Sequence, residues 1–162
     1  EGAGFFLNNE MDDFSSKPGS PNAFGLVGNE ANAIEPHKRP LSSMTPTIVL
    51  KENSPYIVIG SPGGSTIITT VMQSILNIIE HNMDIKEAVS APRFHSQWLP
   101  DEIQIEPYGI IKDVLENLKK RGHKVSYYRG GGYIGEANGI IIKENGYYGG
   151  GDTRGETSAV GY

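Results

Sequence analysis

Gly63-Gly64-Ser65 stands between an apolar β-rich run and an apolar helical one, and two adjacent glycines there let backbone amides come close to a ligand. The N–H groups at a helix start have no intrahelical partner and sit at the positive end of the helix dipole. Such a place binds an anion or steadies a developing oxyanion, and it serves equally as a tight strand-to-helix turn. No Gly-Lys-Ser/Thr follows, so it is not a phosphate loop. Glu10-Met11-Asp12-Asp13 gathers three carboxylates in four residues, suited to an ammonium group or to a solvated turn. A metal would need more oxygen or His ligands than are patterned there, and no metal site is expected. In Lys38-Arg39-Pro40-Leu41-Ser42-Ser43-Met44, two hydroxyls after a proline turn can donate to a carboxylate or simply shape the turn. As nucleophiles, Ser42 and Ser43 lack a partner base and a G-x-S-x-G elbow. His37, His81, His95 and His123 show no i, i+4 pairing and read as surface or structural residues.

The elements that must position these groups follow from periodicity and breakers. Residues 3–8 read as a short buried strand, and residues 10–46 as a long aperiodic loop rich in Pro, Gly, Asn, Ser and Asp. Residues 47–51 and 56–60 are β-rich runs flanking Glu52-Asn53-Ser54-Pro55, a hairpin. Ile67, Ile68, Val71, Met72, Ile75, Leu76, Ile78 and Ile79 form a helical stripe, apolar almost all round, which predicts a buried helix. A second helix over 84–91 starts at Asp84 as N-cap and stops before Pro92. A strand at 103–106, an amphipathic helix over 110–121 ending at Gly122, and strands near 124–128, 138–143 and 146–149 complete the chain. Trp98 lies in an irregular stretch and is expected to serve packing. The order is that of a mixed α/β layered domain, with no repeat and no linker.

The 162 residues suffice for one domain with a sizeable core. The net charge of −5, with 14 scattered basic residues, argues against a dedicated nucleic-acid binder. The absence of cysteine excludes disulfides, thiolate metal sites and a Cys nucleophile. No apolar run is long enough to span a bilayer, and Glu1-Gly2-Ala3-Gly4 has no basic n-region of a signal peptide. Phe5-Phe6-Leu7 begins almost at once without an initiator Met, which suggests a trimmed chain or a fragment whose first strands lie upstream.

Three long segments together resemble the small subunit of the γ-glutamyltranspeptidases: Leu7-Asn8-Asn9-Glu10-Met11-Asp12-Asp13-Phe14, Lys38 through Thr47, and Gly60-Ser61-Pro62-Gly63-Gly64-Ser65. Ala91-Pro92-Arg93-Phe94-His95 and Gly151-Asp152-Thr153-Arg154 fit the same pattern, so that the resemblance runs from about residue 3 to the end. It implies an α/β (α+β) fold, the αββα four-layer sandwich of N-terminal-nucleophile hydrolases, incomplete here, with residues 1–162 as the C-terminal portion of the small subunit. It implies a precursor that cuts itself into large and small subunits, and a γ-glutamyl group carried on a threonine and passed to water, an amino acid or a peptide. Gly63 and Gly64 match the oxyanion-hole glycines. Ser42 and Ser43 match the pair that holds the donor's α-carboxylate, Asp13 matches the acid that holds the α-ammonium, and Glu10 lies at a nearby position with the same use. Residues 18–29 correspond to a lid loop with Phe24 as its aromatic gate, and Arg93 and Arg154 match arginines needed for folding and self-cleavage.

The resemblance also implies what is missing. The nucleophilic Thr, and the strand behind it with a further Thr and Asn, belong upstream of Glu1, as does the large subunit with an Arg for the α-carboxylate. Thr45, Thr47 and Thr66 are not chain starts and do not replace the nucleophile, so the 162 residues alone are expected to turn over nothing. The expected partners are a γ-glutamyl donor such as glutathione and the large subunit, with no cofactor, no nucleic acid and no membrane contact, in a periplasmic or secreted bacterial setting. Two other readings stand beside this one: a cephalosporin acylase-like amidase of the same fold, and a non-catalytic remnant that only binds a partner or ligand.

Overall fold

The computed structural model describes residue 2, residues 4–5 and residues 9–161, and it divides into two compact units, Glu1–Ser43 and Met44–Tyr162. The strand expected over 3–8 falls largely outside the described residues, and Phe5, within it, is exposed in a bend.

The first unit has little regular structure: 3₁₀ turns at Glu10–Asp13 and Glu30–Asn32 and two isolated bridges, Ser15 with Ala33 and Pro21 with Val27. The expected long loop thus holds only short turns and bridges, and asparagine side chains give its backbone an alternative to a ladder. Asn32 Nδ2 donates to Asp13 O at 2.7 Å, Asn32 Oδ1 accepts from Leu41 N at 3.0 Å, and Asn32 O accepts from Ser15 N at 2.9 Å. One residue therefore ties three stretches of chain together.

In the second unit a four-stranded antiparallel sheet runs in the order β1-β2-β6-β7, with β1 at Thr47–Lys51, β2 at Ser54–Gly60, β6 at Asn138–Lys143 and β7 at Gly146–Gly151. The first hairpin is tighter than the sequence suggests. Its turn is Glu52-Asn53 alone, with φ of +51° and +63°, the left-handed pair that suits two-residue hairpins. Pro55 then lies within β2 but beyond the stretch, Ile57–Gly60, that pairs with β6, so its missing N–H costs no bond there.

Helices α1, Ile67–Ile79, and α2, Ile85–Ser90, cover one face of this sheet. Asp84 closes a reciprocal capping box with Glu87 at the start of α2. Ile57, Ile59 and Ile141 pack against Val71, Ile78, Ile85 and Val89, and each such side chain stabilises the fold by about 1.5–3 kcal/mol when fully buried. A three-stranded sheet joins β3, Phe94–His95, antiparallel to β4, Ile103–Ile105, with β5, Val125–Tyr127, parallel to β4. The parallel pair needs a crossover, which α3, Lys112–Lys120, supplies. Gly122, at φ +90°, closes α3 in a Schellman motif: its N–H donates to Lys119 O and that of His123 to Leu118 O.

Two expectations are corrected. Helix α1 is buried on one side only, since Ile68 is 64 % exposed and Met72, Leu76 and Ile79 remain open beside it. The reason is that sheet and α2 reach only the Ile67, Val71, Ser74, Ile78 side of the helix. Trp98 packs against little: it is 80 % exposed, at a left-handed φ of +72° in an exposed stretch.

Candidate active site

The glycine turn is built by what surrounds it. Strand β2 ends at Gly60, and a 3₁₀ turn at Gly64–Thr66 leads into α1, so the α-helix proper starts at Ile67, one turn later than the glycines. Gly63 has φ +141° and Gly64 φ +57°, conformations that side-chain-bearing residues rarely adopt. A Cβ on Gly63 would stand 2.5 Å from Thr66 Oγ1 and 3.4 Å from Gly135 Cα, so the turn also requires glycine for space. Among the described residues none accepts from the Gly63 or Gly64 N–H. Both amides lie at the start of the 3₁₀ turn that leads into α1.

In the first unit, Asp13 closes its 3₁₀ turn, and Ser43 Oγ donates to Asp13 Oδ1 at 2.7 Å. Thirty positions of sequence separate the two, and the Asn32 bonds to Asp13 O and Leu41 N draw their flanks together. Glu10 and Ser42 are exposed in the same unit. The expected lid, 18–29, is an ordered hairpin-like loop: Gly19 N donates to Gly28 O and Asn22 N to Leu26 O. Asn22 Oδ1 accepts from both Phe24 N and Leu26 N, fixing the tip that carries exposed Phe24.

Arg93 and Arg154 belong to a buried quartet with Glu106 and Asp152. Arg93 Nη2 donates to Asp152 Oδ2 at 2.7 Å and Nη1 to Ile134 O, while Arg93 N donates to Glu106 Oε2. Arg154 pairs with Glu106 through Nε and Nη2 and with Asp152 through Nη1. Its guanidinium also reaches Val89 O, Ser90 O and Ala91 O, the carbonyls at the C-terminus of α2. Two cations and two anions cancel, and nearly every lone pair has a donor, which is what makes burying four charges tolerable.

Burial alone would raise the Asp152 carboxyl, but hydrogen bonds from Arg154 and Arg93 outweigh it and hold the group below its ordinary value. Burial opposes the charge on Arg154 as well, yet the bonds to Glu106 and Asp152 raise its pKa. Arg93 is lowered, by burial first and then by the charge of Arg154. Unfolded, Asp152 would titrate near 3.9, above its native value, so on acidification the unfolded chain takes up the proton first. Its contribution is complete above about pH 5 and is lost as pH falls through the native value. Circular-dichroism melts should therefore show a melting temperature that drops steeply below about pH 4.

Glu106, Asp152, Ser61 and Thr66 escape a reading of the sequence. Asp152 sits inside a quoted motif and Glu106 directly follows β4, but nothing in either pattern signals burial to 1 % exposure. His95 is structural, buried between Thr69 Oγ1 and Gln97 Oε1 at 2.8 Å each. An open groove of about 580 Å³ lined by Tyr56, Met83, Lys86, Ile141 and Tyr148 contains none of the predicted site residues. No helix is long and apolar enough to cross a membrane among the described residues.

The Gamma-glutamyltranspeptidase family model matches residues 1–162. The chain is 50% identical over 153 residues to a glutathione hydrolase proenzyme of Escherichia coli (strain K12), covering 94% of this chain and 26% of that protein. It is 44% identical over 169 residues to the corresponding proenzyme of Pseudomonas sp. (strain A14), covering 99% of this chain and 29% of that protein. It thus spans about a quarter of the length of the curated relatives it matches. A crystal structure of a Helicobacter pylori γ-glutamyltranspeptidase mutant superposes with TM-score 0.88 at 58% identity, covering 96% of this chain and 84% of that one. The transpeptidase CapD of Bacillus anthracis shares the fold at TM-score 0.66 and 20% identity, covering 96% of this chain and 90% of that one.

Proposed function

Because the chain belongs to the γ-glutamyltranspeptidase family, we propose that it is the part of a γ-glutamyl transferase and glutathione hydrolase that supplies the oxyanion donors and the pocket for the donor's zwitterionic end. The observation that carries this reading is the Asp13–Ser43 pair, a carboxylate and a hydroxyl 2.7 Å apart, held by Asn32. A γ-glutamyl donor presents an ammonium and a carboxylate on one carbon. Asp13 takes the ammonium, with Glu10 beside it. Ser42 and Ser43 take the carboxylate. A hydroxyl has a single proton, so Ser43 serves the incoming carboxylate by rotating about χ1 from Asp13 to the ligand.

Gly63 and Gly64 are the proposed donors to the γ-carbonyl oxygen. Attack by a threonine from the rest of the protein places negative charge on the carbonyl oxygen, and the two N–H groups stabilise it. Collapse of that intermediate breaks the amide bond, the departing amine takes the proton given up by the threonine hydroxyl, and the acyl-threonine then passes its γ-glutamyl group to water, an amino acid or a peptide. Phe24 at the tip of the 18–29 loop is the proposed aromatic gate that limits water.

A large subunit cut from the same precursor is the proposed partner. What supports it is apolar surface in need of cover: Ile48, Val58 and Ile140 stand in register across the open face of the four-stranded sheet, and α1 is uncovered on its outer side. The proposed setting is periplasmic or secreted. The experiment is release of p-nitroaniline from γ-glutamyl-p-nitroanilide by the complete proenzyme after maturation. Steady turnover that rises with a dipeptide acceptor is expected, and no turnover by a fully cleaved protein would refute the reading.

A second reading, an acylase for other amides, has its footing in a cephalosporin acylase of Bacillus halodurans, similar at TM-score 0.68 and 28% identity over 76% of this chain. A glutaryl amide as substrate would give Asp13 no ammonium to hold.

A further inference from the structure

An oxyanion amide is useful only if its peptide plane is turned the right way, and glycine does little to decide that. In a trans peptide the C=O and N–H point in opposite directions, so whatever holds the carbonyl aims the amide. A peptide flanked by Gly63 and Gly64 turns over at small cost, because both residues tolerate either sign of φ. The orientation must be imposed from outside.

Both carbonyls are held. The Gly63 N–H shares its peptide with Pro62 O, and Ser61 Oγ donates to Pro62 O at 2.7 Å. The Gly64 N–H shares its peptide with Gly63 O, which accepts from Thr66 Oγ1 at 2.9 Å and from Thr66 N at 3.1 Å. Neither peptide is cis. The hydroxyl of Ser61 is in turn oriented, since it accepts from Glu136 N at 3.0 Å and so turns its proton towards Pro62. Glu136 lies in a segment anchored at both ends by the buried quartet: Ile134 N donates to Glu106 Oε1 at 2.7 Å and Ala137 N to Asp152 Oδ2 at 2.8 Å. Gly135 of that segment underlies the turn, where a Cβ would meet Thr70 Oγ1 at 2.5 Å and Ser61 Oγ at 2.9 Å.

We propose that Ser61 and Thr66 are positioning residues that lock the two oxyanion peptides, and that Glu106 and Asp152 hold Ser61 in register through the 134–137 segment. The proposal rests on the reading of Gly63 and Gly64 as oxyanion donors. Complete loss of one such donor costs about 10²–10³ in kcat, and a donor free to flip keeps part of its aligned population, so about tenfold is expected per lock.

The test uses the complete matured proenzyme, with Ser61→Ala, Ser61→Thr, Thr66→Val and Thr66→Ser. Expected are a kcat about tenfold lower for Ser61→Ala and Thr66→Val with donor KM within about twofold, since the ammonium and carboxylate contacts are untouched. A γ-boronate analogue of glutamate, a tetrahedral mimic, should lose affinity in step with kcat while free glutamate does not. Ser61→Thr and Thr66→Ser, which keep the hydroxyl, should restore both. The proposal is overturned if Ser61→Ala keeps wild-type kcat and analogue affinity, if Ser61→Thr is as impaired as Ser61→Ala, or if kcat and KM move together. Should Thr66→Val fail to mature, the Ser61 pair decides alone. Wild-type protein that turns over no γ-glutamyl substrate overturns the function reading and this inference with it, whereas active wild type with silent variants overturns only this inference.

Discussion

Arg154→Leu is expected to leave little or no folded, matured protein. The side chain pairs with Glu106 and Asp152 and also donates to three carbonyls at the end of α2. Its loss leaves two buried carboxylates with Arg93 as their one remaining cation among the described residues. Breaking a buried ion pair by removing one partner costs about 3–5 kcal/mol. Against a total stability of about 5–15 kcal/mol, that is a large share. Where protein survives, its melting temperature should fall by about 6–20 °C at about 2–4 °C per kcal/mol. Arg154→Lys should lie between, because an ammonium keeps the charge but cannot engage Glu106, Asp152 and the α2 carbonyls at once. A scanning melt and a gel that separates precursor from cleaved subunits read both outcomes. A Leu variant that matures and melts like wild type would remove the quartet from any role in folding.

Asp13→Asn is expected to cost the donor rather than the fold. Asp13 is partly exposed and its side chain meets Ser43 in a single bond, so the melting temperature should move little. A charge-assisted bond to an ammonium is worth about 1.5–3 kcal/mol, which corresponds to about a 10- to 150-fold lower kcat/KM for γ-glutamyl-p-nitroanilide. The loss should fall on donor KM more than on kcat, since the ammonium is held alike in ground and transition states. A variant within about twofold of wild type would take Asp13 out of the pocket.

Regular elements were the legible part of the sequence. The stripe from Ile67 to Ile79 marks α1, Asp84 and Pro92 bracket α2, and Gly122 stops α3, because each rests on local chemistry that a few neighbouring residues settle. The two-residue strand β3 carries too few positions to show a period. The uncovered side of α1 and the exposure of Trp98 could not be read, since the sequence tells that a surface is apolar and not what covers it. In the candidate site, the glycines and the Asp13 and Ser43 positions stood out through their motifs. Glu106 did not, and nothing in the motif around Asp152 marks it as buried. Their pairing with arginines joins positions 48 and 59 apart, and only the fold brings those together. Ser61 and Thr66 look like ordinary turn residues until their hydroxyls are traced to the two glycine peptides.

A carboxylate that holds the donor's ammonium must discriminate against donors that lack one. Glutaryl-p-nitroanilide is γ-glutamyl-p-nitroanilide without its ammonium, and the ratio of the two kcat/KM values in the complete matured protein isolates that one group. A preference for the γ-glutamyl compound of about 10- to 150-fold is expected, which Asp13→Asn largely abolishes. Equal use of the two compounds by the wild type, or a preference for the glutaryl one, would contradict it.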